Sequence, residues 1–220
     1  MKIATWNVER LRHKNALDQM LLACEQAGAD ILVLTETSQG ICPCYKYCFQ
    51  TLPASEINAH LYGEQENRVS VFTNYRLVCR HPTYDPYTAL CVELETEKGR
   101  LLVYGTIIGV YGNRHPGFKT DLLKQTADFA RLSNLADGLC ICGDLNCSFA
   151  DSYYYTRYGR DTLLQSFREN GLRLLTGGTA ECIDHIAISE RFIGDVESHI
   201  DEWNLGRKLS DHKGIAVTFG

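Results

Sequence analysis

The chain has 220 residues, an ordinary apolar share of 45% and a net charge of −5, values that fit one globular domain, 1–220, with its own core. No apolar run is long enough to span a bilayer, and the chain starts on strand-like sequence rather than a signal peptide, so a cytoplasmic protein is expected. The negative balance argues against a protein that holds nucleic acid by broad electrostatics, though not against a nuclease whose metal-binding carboxylates add to the total.

An apolar strand at the start runs through Ile3-Ala4-Thr5-Trp6 into Asn7. A short basic loop follows, Glu9-Arg10-Leu11-Arg12-His13-Lys14. Leu17, Leu21 and Cys24 then share the face of a helix over 15–27, stopped by Gly28. A second strand over 30–34 runs into Glu36. Residues 38–67 read as loop with a short edge strand near 47–52. Cys42, Cys44 and Cys48 in that loop lack the usual spacing of a structural zinc site and any matching half, which favours reduced thiols. Ten cysteines are too few for a disulfide scaffold of this size, and Cys91, Cys140 and Cys142 sit inside apolar strands as small buried side chains.

Three strands are expected over 68–73, 90–95 and 101–108, the last two joined by the turn Glu97-Lys98-Gly99-Arg100. A glycine-rich loop over 109–117 leads to a helix over 118–135 with Leu122, Thr126 and Phe129 on one stripe. Next comes Leu139-Cys140-Ile141-Cys142-Gly143-Asp144-Leu145-Asn146. If its extended geometry continues, Asp144 and Asn146 point to the same side. An aromatic loop over 153–158 and a short helix over 162–170, stopped by Gly171, complete this part.

In the last quarter the polarity reverses. Asp184-His185 precedes Ile186-Ala187-Ile188, and Ser210-Asp211-His212 precedes Ile215-Ala216-Val217. Polar groups therefore lie at the C-terminal ends of the early strands and at the starts of the late ones. They meet on one edge only if the late strands run opposite to the early ones, which calls for mixed or antiparallel sheets and argues against a purely parallel arrangement.

Five stretches in order, Thr5-Trp6-Asn7-Val8, Leu34-Thr35-Glu36-Thr37, Gly143-Asp144-Leu145-Asn146, Ile183-Asp184-His185-Ile186 and Ser210-Asp211-His212, resemble the motifs of the endonuclease/exonuclease/phosphatase superfamily of metal-dependent phosphoesterases. The resemblance implies an α/β (α+β) fold, a four-layer αββα sandwich of two packed mixed sheets flanked by helices. It also implies a divalent ion, Mg²⁺ or Mn²⁺, on Glu36 and Asn7, with Asp211 at the ion or beside it.

Phosphodiester hydrolysis needs a cation to offset charge, a base for water and donors for the phosphoryl oxygens. His212 is the candidate imidazole, with Asp184 fixing its tautomer. Asp144 is expected to orient or deprotonate the water or to protonate the leaving oxygen, and Asn146 to hydrogen-bond the phosphoryl group. His185 reads as structural. Many relatives place a histidine or tyrosine near Thr106-Ile107-Ile108; here Tyr111, Arg114 or His115 in the following loop is left to take over.

Arg10, Tyr111 and Arg114 are the expected substrate contacts, in basic and aromatic loops that rim the strand ends. The first motif is similar to that of abasic-site endonucleases, yet Glu9-Arg10 and Thr37 depart from it. The favoured reading is a compact nuclease acting on DNA or RNA. The alternatives are a hydrolase of a small or lipid phosphoester and a non-catalytic binding module on the same fold.

Overall fold

Two six-stranded sheets pack face to face with helices outside them in the computed structural model, which describes residues 1–220 apart from the side chain of Lys14. The first half of the chain supplies β1 (Lys2–Asn7), α1 (Leu17–Ala27), β2 (Ile31–Ser38), β3 (Tyr47–Gln50), β4 (Glu66–Thr73), β5 (Arg76–His81), β6 (Ala89–Thr96) and β7 (Gly99–Ile107). The second half supplies α2 (Phe118–Leu132), β8 (Gly138–Asp144), α3 (Arg157–Glu169), β9 (Leu172–Leu174), β10 (Asp184–Ser189), α4 (Glu190–Ile193), β11 (Ser198–Trp203) and β12 (Gly214–Phe219).

One sheet has the order β11-β12-β1-β2-β4-β3 and the other β5-β6-β7-β8-β10-β9. β1 runs parallel to β2 and β7 parallel to β8, whereas β12 is antiparallel to β1 and β10 antiparallel to β8. The late strands therefore do oppose the early ones, as the reversed polarity of their flanks requires.

Strand alternation divides the apolar residues among three cores. Ile3, Ile31, Val33, Cys140, Cys142, Ile186 and Val217 meet between the sheets. Gly105 on β7 lets the sheets approach closely, since a Cβ there would lie 2.7 Å from Val69 of the opposing sheet. Ala4, Trp6, Leu32 and Leu34 face the other way, against Met20 and Cys24 of α1. Leu102, Tyr104 and Ile141 face Leu122 and Phe129 of α2 and Phe167 of α3. Truncating a buried Phe such as Phe129 to Ala in a core of this kind costs about 3–5 kcal/mol.

Several elements depart from the sequence expectation. β5, β9 and β11 were not expected, and α3 starts at Arg157 because Thr156 caps it, accepting the Gly159 N–H at 3.1 Å. α1 and α2 are shorter than expected: α1 starts at Leu17 after a one-turn 3-10 helix, and α2 ends at Leu132. Among the described residues no helix is long and apolar enough to cross a membrane.

Candidate active site

Three side chains reach the same edge by simple strand alternation. Asn7 continues the inward face of Ile3, Asp144 that of Cys140 and Cys142, and Asp184 that of Ile186 and Ile188. All three are at most 3% exposed. Glu36 arrives differently. It shares parity with Leu32 and Leu34, which face α1, but its φ of 51° turns the backbone left-handed and brings its carboxylate beside Asn7. The Glu36–Arg68 pair is missing from an otherwise unbroken ladder between β2 and β4. A left-handed glutamate is strained, and such strain is characteristic of functional positions.

Asn7 bridges two carboxylates. Its Nδ2 donates to Asp144 Oδ2 at 3.1 Å and to Glu36 Oε1 at 3.4 Å, while its Oδ1 accepts the Glu9 N–H at 2.9 Å. The amide nitrogen, rather than the oxygen expected to bind metal, thus faces the acidic pair. Asp144 is held from its other side by the Asn146 N–H, which reaches Oδ1 at 2.8 Å.

That last bond closes a turn, so the extended geometry expected through Asn146 ends at Asp144. Asn146 has a φ of 48°. Its Nδ2 donates to the carbonyls of Ile108 and Gly109 at 3.0 and 3.3 Å, leaving that nitrogen committed to the loop rather than free for a phosphoryl oxygen. Gly143 allows the approach: its φ is 140°, and a Cβ would lie 2.1 Å from the Thr106 carbonyl oxygen.

On the facing side, Asp184 Oδ2 lies 2.6 Å from His212 Nδ1, which leaves Nε2 directed away from that carboxylate. The backbone around His212 is tied to the first strand. Ser210 Oγ donates to the Asn7 carbonyl at 2.6 Å and accepts the His212 N–H at 3.2 Å, and Trp6 Nε1 donates to the His212 carbonyl at 3.1 Å. Asp211 is mostly exposed at the rim, its Oδ1 3.7 Å from His212 Nε2.

His185 is structural. Buried among carbonyls, its Nε2 donates to Cys147 and Cys182 at 3.0 and 3.1 Å, and Nδ1 accepts from Thr176 Oγ1 at 2.9 Å. Burial pushes it down to about 4, so the ring is neutral.

Acidic charge dominates the site. Burial raises Glu36 above the usual carboxylate range, against the Asn7 hydrogen bond that lowers it, and burial also lifts Asp144 to about 7. Burial alone would lower His212, yet Asp184 above all, then Asp144 and Asp211, hold it at about 10. Among the described residues no Lys or Arg forms an ion pair with Glu36, Asp144 or Asp211, and Asp184 Oδ1 is buried without a hydrogen-bond partner. An all-oxygen donor set whose negative charge His212 and Arg10 offset only in part fits a hard divalent cation.

Two clefts flank these groups. One, of about 280 Å³, is lined by Asp184, His212, Tyr153, Tyr154 and Arg207. The other, of about 170 Å³, is lined by Glu36, Arg10, Arg12, Tyr62, Arg68 and Ile107. Arg10 is at the site but paired, with Nε 2.7 Å from Glu66 and its guanidinium over the Tyr62 ring. Tyr111 is exposed, with its ring 5.2 Å from that of His115, and Arg114 is exposed on the same loop outside both clefts. Ile107 lines the second cleft, in the stretch 106–108 where the resemblance led to the expectation of a histidine or tyrosine. The Lys14 side chain lies outside the described ones.

Several contributors escaped the sequence reading. Glu9 Oε2 accepts the Asp211 N–H at 3.1 Å, and the signal for it was its spacing of two from Asn7. Arg68 and Arg207 carried no signal, since neither adjoins a motif. Elsewhere, Cys79, His81 and Glu93 place ligand atoms within 4.8 Å of one another on the other sheet. Glu93 is already matched there by His81 at 2.9 Å and Arg100 at 3.4 Å, so that cluster is explained without an ion.

The chain matches the Endonuclease/Exonuclease/phosphatase family over residues 4–212. Among solved structures it is similar to the 3' phosphatase NExo from Neisseria bound to product DNA hairpin, with TM-score 0.71 and 19% identity over 100% of this chain and 99% of that one. It is also similar to an AP endonuclease from Archaeoglobus fulgidus, with TM-score 0.74 and 13% identity over 100% and 99%. A third is the AP endonuclease LMAP from Leishmania major, with TM-score 0.71 and 15% identity over 98% and 86%. At these identities the likeness is one of fold. No curated protein is significantly similar in sequence.

Proposed function

The chain belongs to the endonuclease/exonuclease/phosphatase family, and from that premise we propose that it is a divalent-metal-dependent phosphodiester hydrolase, a compact nuclease acting on DNA or RNA through a single catalytic domain, 1–220. One observation carries the reading: the Asn7 amide joins Glu36 to Asp144 on one side of the cleft, while Asp184 aims His212 from the other. A binding module has no need for a buried carboxylate held on both oxygens beside an oriented imidazole.

Glu36 is the principal ligand of a Mg²⁺ or Mn²⁺ ion, with Asp211 completing the acidic side. Such an ion supplies charge neutralisation at the phosphoryl oxygens. Asn7 serves this pair by fixing the Glu36 and Asp144 carboxylates relative to each other, rather than as a ligand in its own right. Asp144, gripped by Asn7 Nδ2 and the Asn146 N–H, orients the attacking water and accepts its proton.

His212 is surrounded by Asp184, Asp144 and Asp211 and carries its proton at neutral pH, which makes it a donor rather than a base. Its Nε2–H donates to a phosphoryl oxygen as negative charge builds there, and Asp184 holds Nδ1–H throughout. Asn146 acts through its backbone, by positioning Asp144. Tyr111 offers an exposed ring for a base, and Arg10 and Arg114 add positive charge at the rim.

The nucleic-acid reading draws on the similar proteins, among them a 3' phosphatase bound to DNA and two AP endonucleases. Ten free thiols fit a reducing, cytoplasmic setting. The test is to incubate the protein with labelled single-stranded DNA, duplex DNA, abasic duplex and RNA, in Mg²⁺, Mn²⁺ or chelator. Metal-dependent cleavage is expected, and the preferred strand names the class. Turnover confined to inositol phosphates or sphingomyelin would instead assign the small or lipid phosphoester reading.

A further inference from the structure

Arg68 lies on β4 at the rung where the ladder to β2 skips Glu36. It is 6% exposed, yet among the described residues no carboxylate pairs with it. Its Nη2 donates to the Tyr62 hydroxyl at 3.3 Å, its guanidinium sits 5.3 Å from the Tyr62 ring centroid, and its Nε is buried with no partner. The neighbouring cations are different. Arg10 is matched by Glu66 and Arg12 by Glu9.

A buried guanidinium without a contacting counter-charge is unfavourable, because its desolvation is repaid only by an anion or by hydrogen bonds to most of its five N–H groups. Here a single hydroxyl and one ring face touch it, and the Asp121 carboxylate, held by the Gly109 N–H and Gln125, acts on it only at a distance. The group also has access to ligand. Arg68 lines the 170 Å³ cleft that holds Glu36, and on its other side a 230 Å³ cleft with Tyr84, Gly109, Tyr111 and His115. The cation thus joins the catalytic edge to the loop that carries Tyr111.

We propose that Arg68 binds a second phosphate of the substrate, the one flanking the scissile linkage in a nucleic-acid strand. This rests on the reading of Glu36 and His212 as a hydrolytic centre. Adjacent strands are about 4.8 Å apart, so a long side chain on the strand beside Glu36, opposite it in register, reaches the space beside the reacting phosphate without competing for it. Arginine suits the role through its planar fork of donors, which matches two phosphate oxygens at once. Arg68 is then a residue that selects strands over isolated phosphoesters, and Tyr111 lies on the path of the base attached to that second phosphate.

The experiment compares Arg68→Gln and Arg68→Lys with the natural protein on an oligonucleotide, and on the same oligonucleotide with a neutral methylphosphonate on one or the other side of the scissile linkage. Neutralising one flank lowers kcat/KM of the natural protein about tenfold or more, mainly through KM. Arg68→Gln shows the same loss on the unmodified strand and no further loss on the modified one. Its slope of log kcat/KM against log salt is shallower by about one contact, and Arg68→Lys recovers part of the affinity.

The proposal is overturned if the natural protein is indifferent to neutralisation on both flanks, or if Arg68→Gln remains as sensitive as the natural protein. It also falls if bis(p-nitrophenyl) phosphate is hydrolysed and no strand is, a result that leaves the hydrolase reading standing. Failure on every substrate in every metal would remove the hydrolase reading itself. The methylphosphonate arm needs only the natural protein, so it decides the matter even if a variant misfolds.

Discussion

Trp6 donates its indole N–H to the carbonyl of His212 at 3.1 Å, so the first strand of the chain holds the backbone of the last site residue. The same strand holds Ser210 through the Asn7 carbonyl. Residues more than 200 positions apart are thereby fixed to one another through main-chain contacts, and the His212 imidazole inherits that rigidity. Trp6→Phe keeps the buried ring against α1 and removes the donor. It is expected to cost about 1 kcal/mol of stability and to lower kcat severalfold, as read by urea unfolding and steady-state kinetics.

Asp184 has one function in this geometry, to hold His212 Nδ1–H at 2.6 Å. Asp184→Asn removes the charge and presents either a donor or an acceptor to Nδ1. In a comparable aspartate–histidine pair the loss is about 10⁴ in kcat. Here we expect about 10²–10⁴ with KM nearly unchanged, measured in single turnover on the preferred strand.

The imidazole also gives stability a pH dependence in metal-free protein. His212 is raised from 6.5 to about 10, so the folded protein keeps a proton that the unfolded chain has released. Its contribution is fully present below about pH 6.5 and is lost as pH rises towards 10. Between about pH 7 and 8 this group should make unfolding free energy fall with a slope approaching about 1.4 kcal/mol per pH unit, and above about pH 8 thiols raised by burial, such as Cys24, Cys91 and Cys182, steepen the fall. Urea titrations in chelator read the slope, and His212→Gln should flatten its part between about pH 7 and 8.

Gly143 is the position where the backbone allows no substitute. Its φ of 140° and the Thr106 carbonyl 2.1 Å from a built Cβ mean that Gly143→Ala must push β8 away from β7 next to Asp144. A loss of about 3 kcal/mol or more is expected, visible as a lowered Tm, with activity falling alongside because Asp144 moves.

Much of this site was legible because strand alternation carries it. Asn7, Asp144 and Asp184 each extend an apolar inward face, and the reversed polarity of the late strands announced their antiparallel pairing. Glu36 and Asn146 were legible as site residues but not in direction. Their left-handed backbones break the two-residue period, and nothing in the side chains announces that. β5 and β11 were missed because they are edge or near-solvent strands rich in charge, with half-buried residues in place of an apolar run. Arg68 was hidden for the opposite reason, as one of three polar residues that open a largely buried strand.

In the proposed reading Glu36 holds a metal required for hydrolysis by Asp144 and His212. The direct measurement is single-turnover cleavage of the preferred strand by chelator-treated protein, titrated with Mg²⁺ or Mn²⁺, for the natural chain and for Glu36→Ala. The natural protein should be inactive in chelator and recover on titration, while Glu36→Ala should remain at least about 10³-fold slower at saturating ion. Cleavage that persists in chelator, or a Glu36→Ala variant that recovers fully at the same ion concentration, would contradict it.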